Sequence, residues 1–556
     1  MATRARHGRR RRRTALVASV AVLVVAAVVA AVVIGALTAG RGGSSRQATR
    51  AVRRTHTAGA VASRRSAPDG KTFAGPYGEE AQWVIDQNRL PGTTKWEITT
   101  PQVANGIMGY ASRVQARLGQ KVVLYVSTQA SSFHVDAYRM GYYQGKGARL
   151  VWRSAELPGA VQPACPVVTG INMVQCSWPA SLSFTVDSRW VQGQYLLKLV
   201  GSGGQQSYVP LTIWDPASHA AYVMMAGVFT WQAFNPFGGY DLYQGPVSEP
   251  GYPPPNRARV LSFDRPYATS YGYGAASFLG NEYPLIRFME KHGLDVTYWT
   301  DMTLATHGNL LTNHKVLLSP GHDEEWSLRM RQWATRARDA GVNIAFFGAS
   351  PVLRKIRLQA SPLGPDMEMV NYRDPTADPL YGHDNARVTQ NWWGQPPADD
   401  PASTLVGASY KGYDTSGSMV VVDASSWLFK GTGLTNGSRL KGVLQFDFDG
   451  FDPRRPNPPG VEILTHSPVT VSFDNKVRYA DTTYYTWAPS RAGVFESGTN
   501  FWIPSLTRCP ASDPGCPAPL LRKMTGNLLR LFGQGPAGVT QPSVTNVQQF
   551  YPGSSG

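Results

Sequence analysis

Residues able to do chemistry gather in a few short stretches of this chain. Gly321-His322-Asp323-Glu324 places an imidazole and a carboxylate two residues apart, after the apolar run Lys315-Val316-Leu317-Leu318-Ser319 and before a helical pattern over Glu325 to Ala340. A strand-to-helix loop is where a parallel sheet presents groups to a ligand. The pair suits a metal ligand with its outer partner, or a general base with its acid. It suits helix capping equally, with Asp323 as N-cap and the glutamates as first-turn acids. A second stretch, Trp231 to Tyr243, carries Tyr240 and Tyr243. Phenolates ligate hard trivalent cations, and tyrosines also line pockets and stiffen loops. Asp447, Asp449 and Asp452 lack the spacing and closing Glu of a calcium loop, and their alternation with Phe predicts a strand with outward carboxylates. Gly348-Ala349-Ser350 closes the apolar run Val342 to Phe347. The sequence holds no Walker loop, G-x-S-x-G elbow or H-E-x-x-H pair.

Two kinds of periodicity must position these groups. From Gly75 to Pro216, short β-branched and aromatic runs separated by turn signals predict a β-sandwich of about seven strands. From Ala220, continuous apolar strands alternate with helical patterns, such as Asn281 to His292, which predicts a parallel sheet covered on both faces. After Asp378 strand-like segments return, and a helix over Leu520 to Phe532 follows the last cysteine.

Charge and hydropathy locate the chain. The net charge of +17 over 556 residues suggests nucleic acid until its distribution is read. Arg4 through Arg65 supply 14 arginines before the first acid, Asp69, leaving 40 basic against 37 acidic residues in the rest. A nucleic-acid domain carries its basic excess on a folded face, so none is expected here. Arg9 to Arg13 instead precede Ala15–Leu37, an uncharged stretch about 35 Å long as a helix, enough to span a ~30 Å hydrocarbon core. Positive residues stay inside, so the sequence predicts a single-pass cell-membrane anchor, a cytoplasmic N-terminus and an extracellular ectodomain. A cleaved signal peptide has a shorter apolar region and a better small-x-small site than Leu37-Thr38-Ala39. In an oxidising compartment the local pairs Cys165–Cys176 and Cys509–Cys516 are expected as disulfides.

Six motifs carry a resemblance: Tyr138-Arg139-Met140-Gly141-Tyr142-Tyr143, Trp231-Gln232-Ala233-Phe234-Asn235 with Gly238-Gly239, Ser262-Phe263-Asp264-Arg265-Pro266-Tyr267, Glu282-Tyr283-Pro284-Leu285, Gly321-His322-Asp323-Glu324 and Phe346-Phe347-Gly348-Ala349. In this order, over roughly residues 105–535, they resemble the exported branch of the N,N-dimethylformamidase large (beta) subunit-like family. The resemblance implies an α+β multidomain chain, a β-sandwich followed by an α/β domain similar to class I glutamine amidotransferases, with a flavodoxin-like parallel sheet. With charge, hydropathy and composition, it divides the chain into a basic tail (1–13), an anchor (14–38), a flexible stalk (39–75), an Ig-like sandwich (76–216), the α/β domain (218–535) and a disordered tail (536–556).

Dimethylformamidase hydrolyses a small amide with one iron ion held by two tyrosines and a glutamate. Carried over, Glu324 matches the ligand glutamate, His322 its active-site neighbour and Tyr243 the second tyrosine. The first tyrosine falls on Phe234, which cannot ligate, and nearby Tyr240 is the substitute. Ser350 stands where the family has an active-site asparagine, and Asp447 where it has a catalytic glutamate. The resemblance thus implies a metal-assisted hydrolase of small carbon–nitrogen substrates, with Tyr243, Glu324 and Tyr240 on iron and His322, Ser350 and Asp447 catalytic. These departures keep open the alternative, an inactive envelope binding or structural protein on the same scaffold. Two oxygens sharing one cation stand within ~4.5 Å of each other. Burial of Glu324 against an arginine counts against a metal.

Overall fold

The computed structural model describes residues 70–99, 106–249, 254–471, 474–507, 509 and 515–554. The expected tail, membrane span and most of the stalk lie outside them. Among the described residues no helix is long and apolar enough to cross a membrane. The described residues form one compact unit, a mixed α+β arrangement of several sheets built mostly from strands.

The N-terminal part holds an antiparallel sheet of three strands and a sheet of six that is antiparallel except where Gln115–Ala116 pairs parallel with Gln206–Ile213. Alternation along their strands divides the side chains between two cores. Phe133, Val135 and Ala137 with Tyr195, Leu197 and Leu199 meet Val122, Leu124 and Val126 of the smaller sheet. Tyr138, Met140 and Leu196 point the other way, into the large core shared with the rest of the chain. The central strands of the six-stranded sheet, Ser132–Met140 and Gly193–Gly201, are therefore buried on both faces. Across this junction the guanidinium of Arg139 pairs with Glu290 at 2.6 Å, both side chains fully buried. Tyr298 Oη and Asn88 Nδ2 also donate to the Glu290 carboxylate.

A seven-stranded sheet follows. Five strands run parallel: β1 (Tyr222–Ala226), β2 (Val296–Thr300), β3 (Val316–Ser319), β4 (Asn343–Phe346) and β5 (Gly493–Glu496). Every one of their residues is buried, as expected of a sheet covered on both faces. Their order is β2-β1-β3-β4-β5, continued by two antiparallel strands, Val477–Thr486 and Glu462–Thr470. This doubly wound order reverses between β1 and β3, the place where such sheets bind ligands. A separate hairpin, Ser409–Val420 with Arg439–Gly450, leans on the carboxyl edge through a bridge between Phe448 and Thr499.

Several expectations need correction. The helix after His322 spans Leu328–Asp339 and is capped by Ser327, whose Oγ accepts from Met330 N. Asp323 is not the cap; its carboxylate accepts from Ser319 Oγ at 2.7 Å. The stalk ends early, because Thr72–Gly75 already pairs with Gly78–Ala81. Residues 536–554 are folded, not disordered. Asn546 brackets Ile463 with two hydrogen bonds, and Tyr551 Oη donates to Asp481 at 2.6 Å. Apolar anchors Ala537 and Val547 sit within an otherwise polar, Pro- and Gly-rich stretch, and they bury it against the sheet. Both disulfides form as paired in the sequence, with Cα–Cα distances of 4.4 and 5.7 Å.

Candidate functional site

Loops leaving β1, β3, β4 and β5 converge at the carboxyl edge. After β1, Gly227 enters a short helix, Val228–Ala233, and the chain turns through Phe234 to Tyr243. Glu282, Arg265 and Asn235 of the motifs, together with Asp301, hold this loop. Glu282 accepts from Trp231 Nε1 at 2.9 Å, and Asp301 accepts from Phe229 N at 2.6 Å. The buried Arg265 donates to the carbonyls of Phe237 and Tyr240, and Asn235 donates to Pro266 O. After β3, His322 bridges to Ala349 of the loop after β4. The two backbones approach so closely that a Cβ on Gly348 would lie 2.6 Å from Gly321 O, so this position accepts only glycine.

His322, Glu324 and Asp447 each bring a donor atom, and the three atoms lie within 4.8 Å of one another. His322 Nε2 is 2.9 Å from Glu324 Oε1. Tyr243 Oη is 2.6 Å from Glu324 Oε2 and 2.9 Å from Glu325 Oε1. Thr230 Oγ1 donates to Glu325 Oε2 at 2.7 Å and accepts from Glu324 N. Ser350, in the left-handed region at φ 61°, donates its hydroxyl to Asp447 Oδ2 at 3.2 Å and its N–H to Asp449. Asn500 Nδ2 reaches Asp447 Oδ2 at 3.5 Å, while its Oδ1 accepts from Ala349 N.

Asp447 does not follow the outward alternation expected for its strand. Register shifts in the hairpin and a left-handed Phe446 turn that ring outward, 62 % exposed, while Asp449 is buried. Such strain in a bulky residue persists where surrounding contacts over-determine it, which is characteristic of functional sites.

Burial and neighbouring charges split the titrations. Burial draws the His322 imidazolium down, but the bond and charge of Glu324 outweigh it and hold the ring at about 9. Burial raises Glu324, yet His322, Arg354 and Tyr243 together bring it to about 2. Burial, then the charge of Glu324, pushes Glu325 and Asp447 up to about 7. Burial lifts Asp449 to about 8. Groups pushed apart in this way within one cleft mark acid–base sites.

Four further residues complete the site that its spacing in the sequence did not point to. Glu325 pairs in register with Arg354 on the strand Arg354–Ser361. Arg354 Nε stands 3.3 Å from Glu324 Oε2. Arg373 lies 4.2 Å from the centre of the Tyr243 ring, whose other face is stacked by Phe234 at 4.0 Å. Asn391 Oδ1 accepts from both guanidiniums, at 2.7 and 3.0 Å. The doubled Glu324-Glu325 was the one local signal available, and capping explained it equally well.

The expected iron ligands do not fit. Tyr243 and Glu324 do meet, but Phe234 packs as a stacking ring where a phenolate is needed. Tyr240 packs against the apolar core and makes none of the site's hydrogen bonds among the described residues. Both Glu324 oxygens are taken, by His322 on one side and by Tyr243 and Arg354 on the other. At 2.6 Å the Tyr243 and Glu324 oxygens fall inside the ~4.5 Å expected of two groups that share a cation, and they meet here as a hydrogen bond.

No curated protein matches the chain. The family model described as N,N-dimethylformamidase beta subunit-like, C-terminal, matches residues 134–516, from the sandwich through β5 and every site residue named above. By that match the chain belongs to the N,N-dimethylformamidase beta subunit-like family.

Proposed function

We propose that the chain hydrolyses a carbon–nitrogen bond of a small non-peptide amide by proton transfer at Asp447, with charge stabilisation by His322. The observation that carries this reading is the convergence of His322, Glu324 and Asp447 within 4.8 Å at the switch point of the parallel sheet. Asp447, held by Ser350 and Asn500, takes a proton from water once ionised. The water oxygen bonds to the amide carbon, and the free N–H of the His322 imidazolium stabilises the charge on the carbonyl oxygen. Asp447 then returns its proton to the nitrogen as the C–N bond breaks, releasing an acid and an amine. Glu324 keeps the imidazolium charged and oriented. The strand order also supports the likeness of this sheet to class I glutamine amidotransferases.

Amine release from a panel of small amides by the purified full chain tests the reading. The rate is expected to rise as Asp447 ionises near about 7 and to fall as His322 loses its proton near about 9. His322→Asn and Asp447→Asn should each lower kcat/KM by roughly 10²- to 10⁴-fold. The second reading, a binding scaffold, is favoured by Phe234 and by the Arg354 contact to Glu324, which depart from a metal-assisted amidase. A panel without turnover decides for it.

The outer-face location is proposed on Arg9 to Arg13 preceding the uncharged Ala15–Leu37. Protease added to intact cells should digest residues beyond Gly40, and full protection would sink the assignment.

A further inference from the structure

One hydroxyl stands between two buried carboxyl groups. Tyr243 Oη contacts Glu324 Oε2 at 2.6 Å and Glu325 Oε1 at 2.9 Å, and a phenol has one hydrogen to give. With both carboxylates ionised, one anionic oxygen would face the lone pairs of the phenol at hydrogen-bond distance, away from water. The contacts close when one carboxyl carries a proton. Glu324 has the cationic partners, with His322 Nε2 at 2.9 Å and Arg354 Nε at 3.3 Å. Glu325 has the neutral hydroxyl of Thr230 on its other oxygen. The remaining charged or titratable groups facing Glu325 are Arg354, Arg373, the imidazole of His322 and the phenol of Tyr271.

We propose that Glu324 and Glu325 share one proton through the Tyr243 hydroxyl, so that a proton, not a metal ion, joins these groups and Glu325 is the site's proton store. The chain of bonds runs from Glu325 O–H to Tyr243 Oη, from Tyr243 O–H to Glu324 Oε2, and from His322 Nε2–H to Glu324 Oε1. Moving the first two hydrogens one place along leaves Glu325 ionised and Glu324 neutral. Tyr243 stays a phenol and the proton total is unchanged. As negative charge gathers on the carbonyl oxygen beside the His322 imidazolium, this shift moves the charge of the pair from Glu324 to Glu325, beside Arg354 and Arg373. That role in turnover rests on the hydrolase reading, whereas the shared proton does not. Glu325 is therefore a positioning residue, acting on His322 through Tyr243 and Glu324. The stack of Phe234, Tyr243 and Arg373 fixes the phenol that the relay needs.

Infrared difference spectra of the purified full chain at about pH 6 test this, below the value of about 7 to which burial and Glu324 raise Glu325. Comparing the wild type with Glu325→Gln should show the loss of one protonated-carboxyl C=O stretch. Loss of carboxylate bands instead overturns the proposal. Tyr243→Phe provides a second measurement should the first variant fail to fold. Its acid C=O stretch should move to higher frequency as the hydrogen bond disappears, and an unmoved band overturns the proposal. Metal analysis of the wild type gives a third arm. Stoichiometric iron or zinc that is lost on Tyr243→Phe overturns it, and a metal-free full chain supports it. An intact acid band without amide turnover removes the hydrolase reading and leaves the shared proton standing.

Discussion

Glu324→Gln removes a charge while keeping the shape of the side chain, and its penalty should depend on pH in a defined way. His322 has an unfolded value near 6.5 and is held in the fold at about 9 by Glu324. A raised folded pKa contributes stability that is fully present below the unfolded value and is lost as pH rises through the folded one. The full contribution is roughly 3 kcal/mol at pH 5; it falls to about 2.5 kcal/mol at pH 7 and to less than about 0.5 kcal/mol at pH 9. Glu324 is lowered by a similar interval, from 4.5 to about 2. That shift describes largely the same attraction from the other side, so it is counted once. In the variant only burial and more distant carboxylates act on the imidazole, and the ring should be neutral at pH 7. Glu325 then ionises in place of Glu324 beside Arg354, returning part of the loss, so the figures are upper bounds. Urea midpoints of the wild type and variant at three pH values measure the penalty, and the His322 ring resonances report its protonation directly. An equal penalty at pH 5 and pH 9, or a variant His322 still titrating near 9, refutes the account.

The Arg139–Glu290 pair should behave as a buried lock. Glu290→Gln strands a guanidinium with no exposure and should cost about 3–5 kcal/mol, whereas the double variant Arg139→Met/Glu290→Leu should lose less than either single change, measured by urea unfolding. Wild-type stability should fall as pH rises from about 4 to about 8. Over that window the unfolded chain gives up the protons of Glu325, Asp447 and Asp449 before the fold does, and Asp449→Asn should flatten the upper part of a chemical-denaturation profile. Replacing Cys165 and Cys176 by Ser opens a loop closed across 11 positions, which should lower stability by roughly 2–3 kcal/mol and leave amine release unchanged.

The sheets were legible because burial imposes a period. Tyr222-Val223-Met224-Met225 reads as a doubly covered strand and is one, and the alternating runs before Pro216 read as sandwich strands that do alternate between two cores. His322 and Glu324 were legible for the same reason, since the end of an apolar strand predicts where the next polar residues go. Local period gave no information on what crosses between elements. Arg354 and Arg373 lie on an excursion between β4 and β5, and nothing around them in sequence distinguishes a guanidinium bound for Tyr243 from a solvated one. Asp447 was misread because the outward alternation assumed an unbroken ladder, and the register shifts beside Phe446 break it.

Phe234 shows how one position redirects a site. A phenylalanine there cannot donate an oxygen, but its ring stacks on Tyr243 at 4.0 Å and packs at a tilt against His322 at 4.8 Å. The two groups most in need of fixed orientation are thereby covered by one apolar face. Arg373 closes the opposite face of Tyr243, and the phenol is left with a single outlet, its hydroxyl, between Glu324 and Glu325. An oxygen at position 234 would place a competing donor or ligand beside Glu324 and reopen the question of which cation holds it. Phe234→Tyr is therefore the substitution that should move this chain back toward metal binding: the variant should take up iron that the wild type does not, read by metal analysis after loading and desalting. If both proteins bind iron equally, or neither does, Phe234 is not the residue that decides between proton and metal.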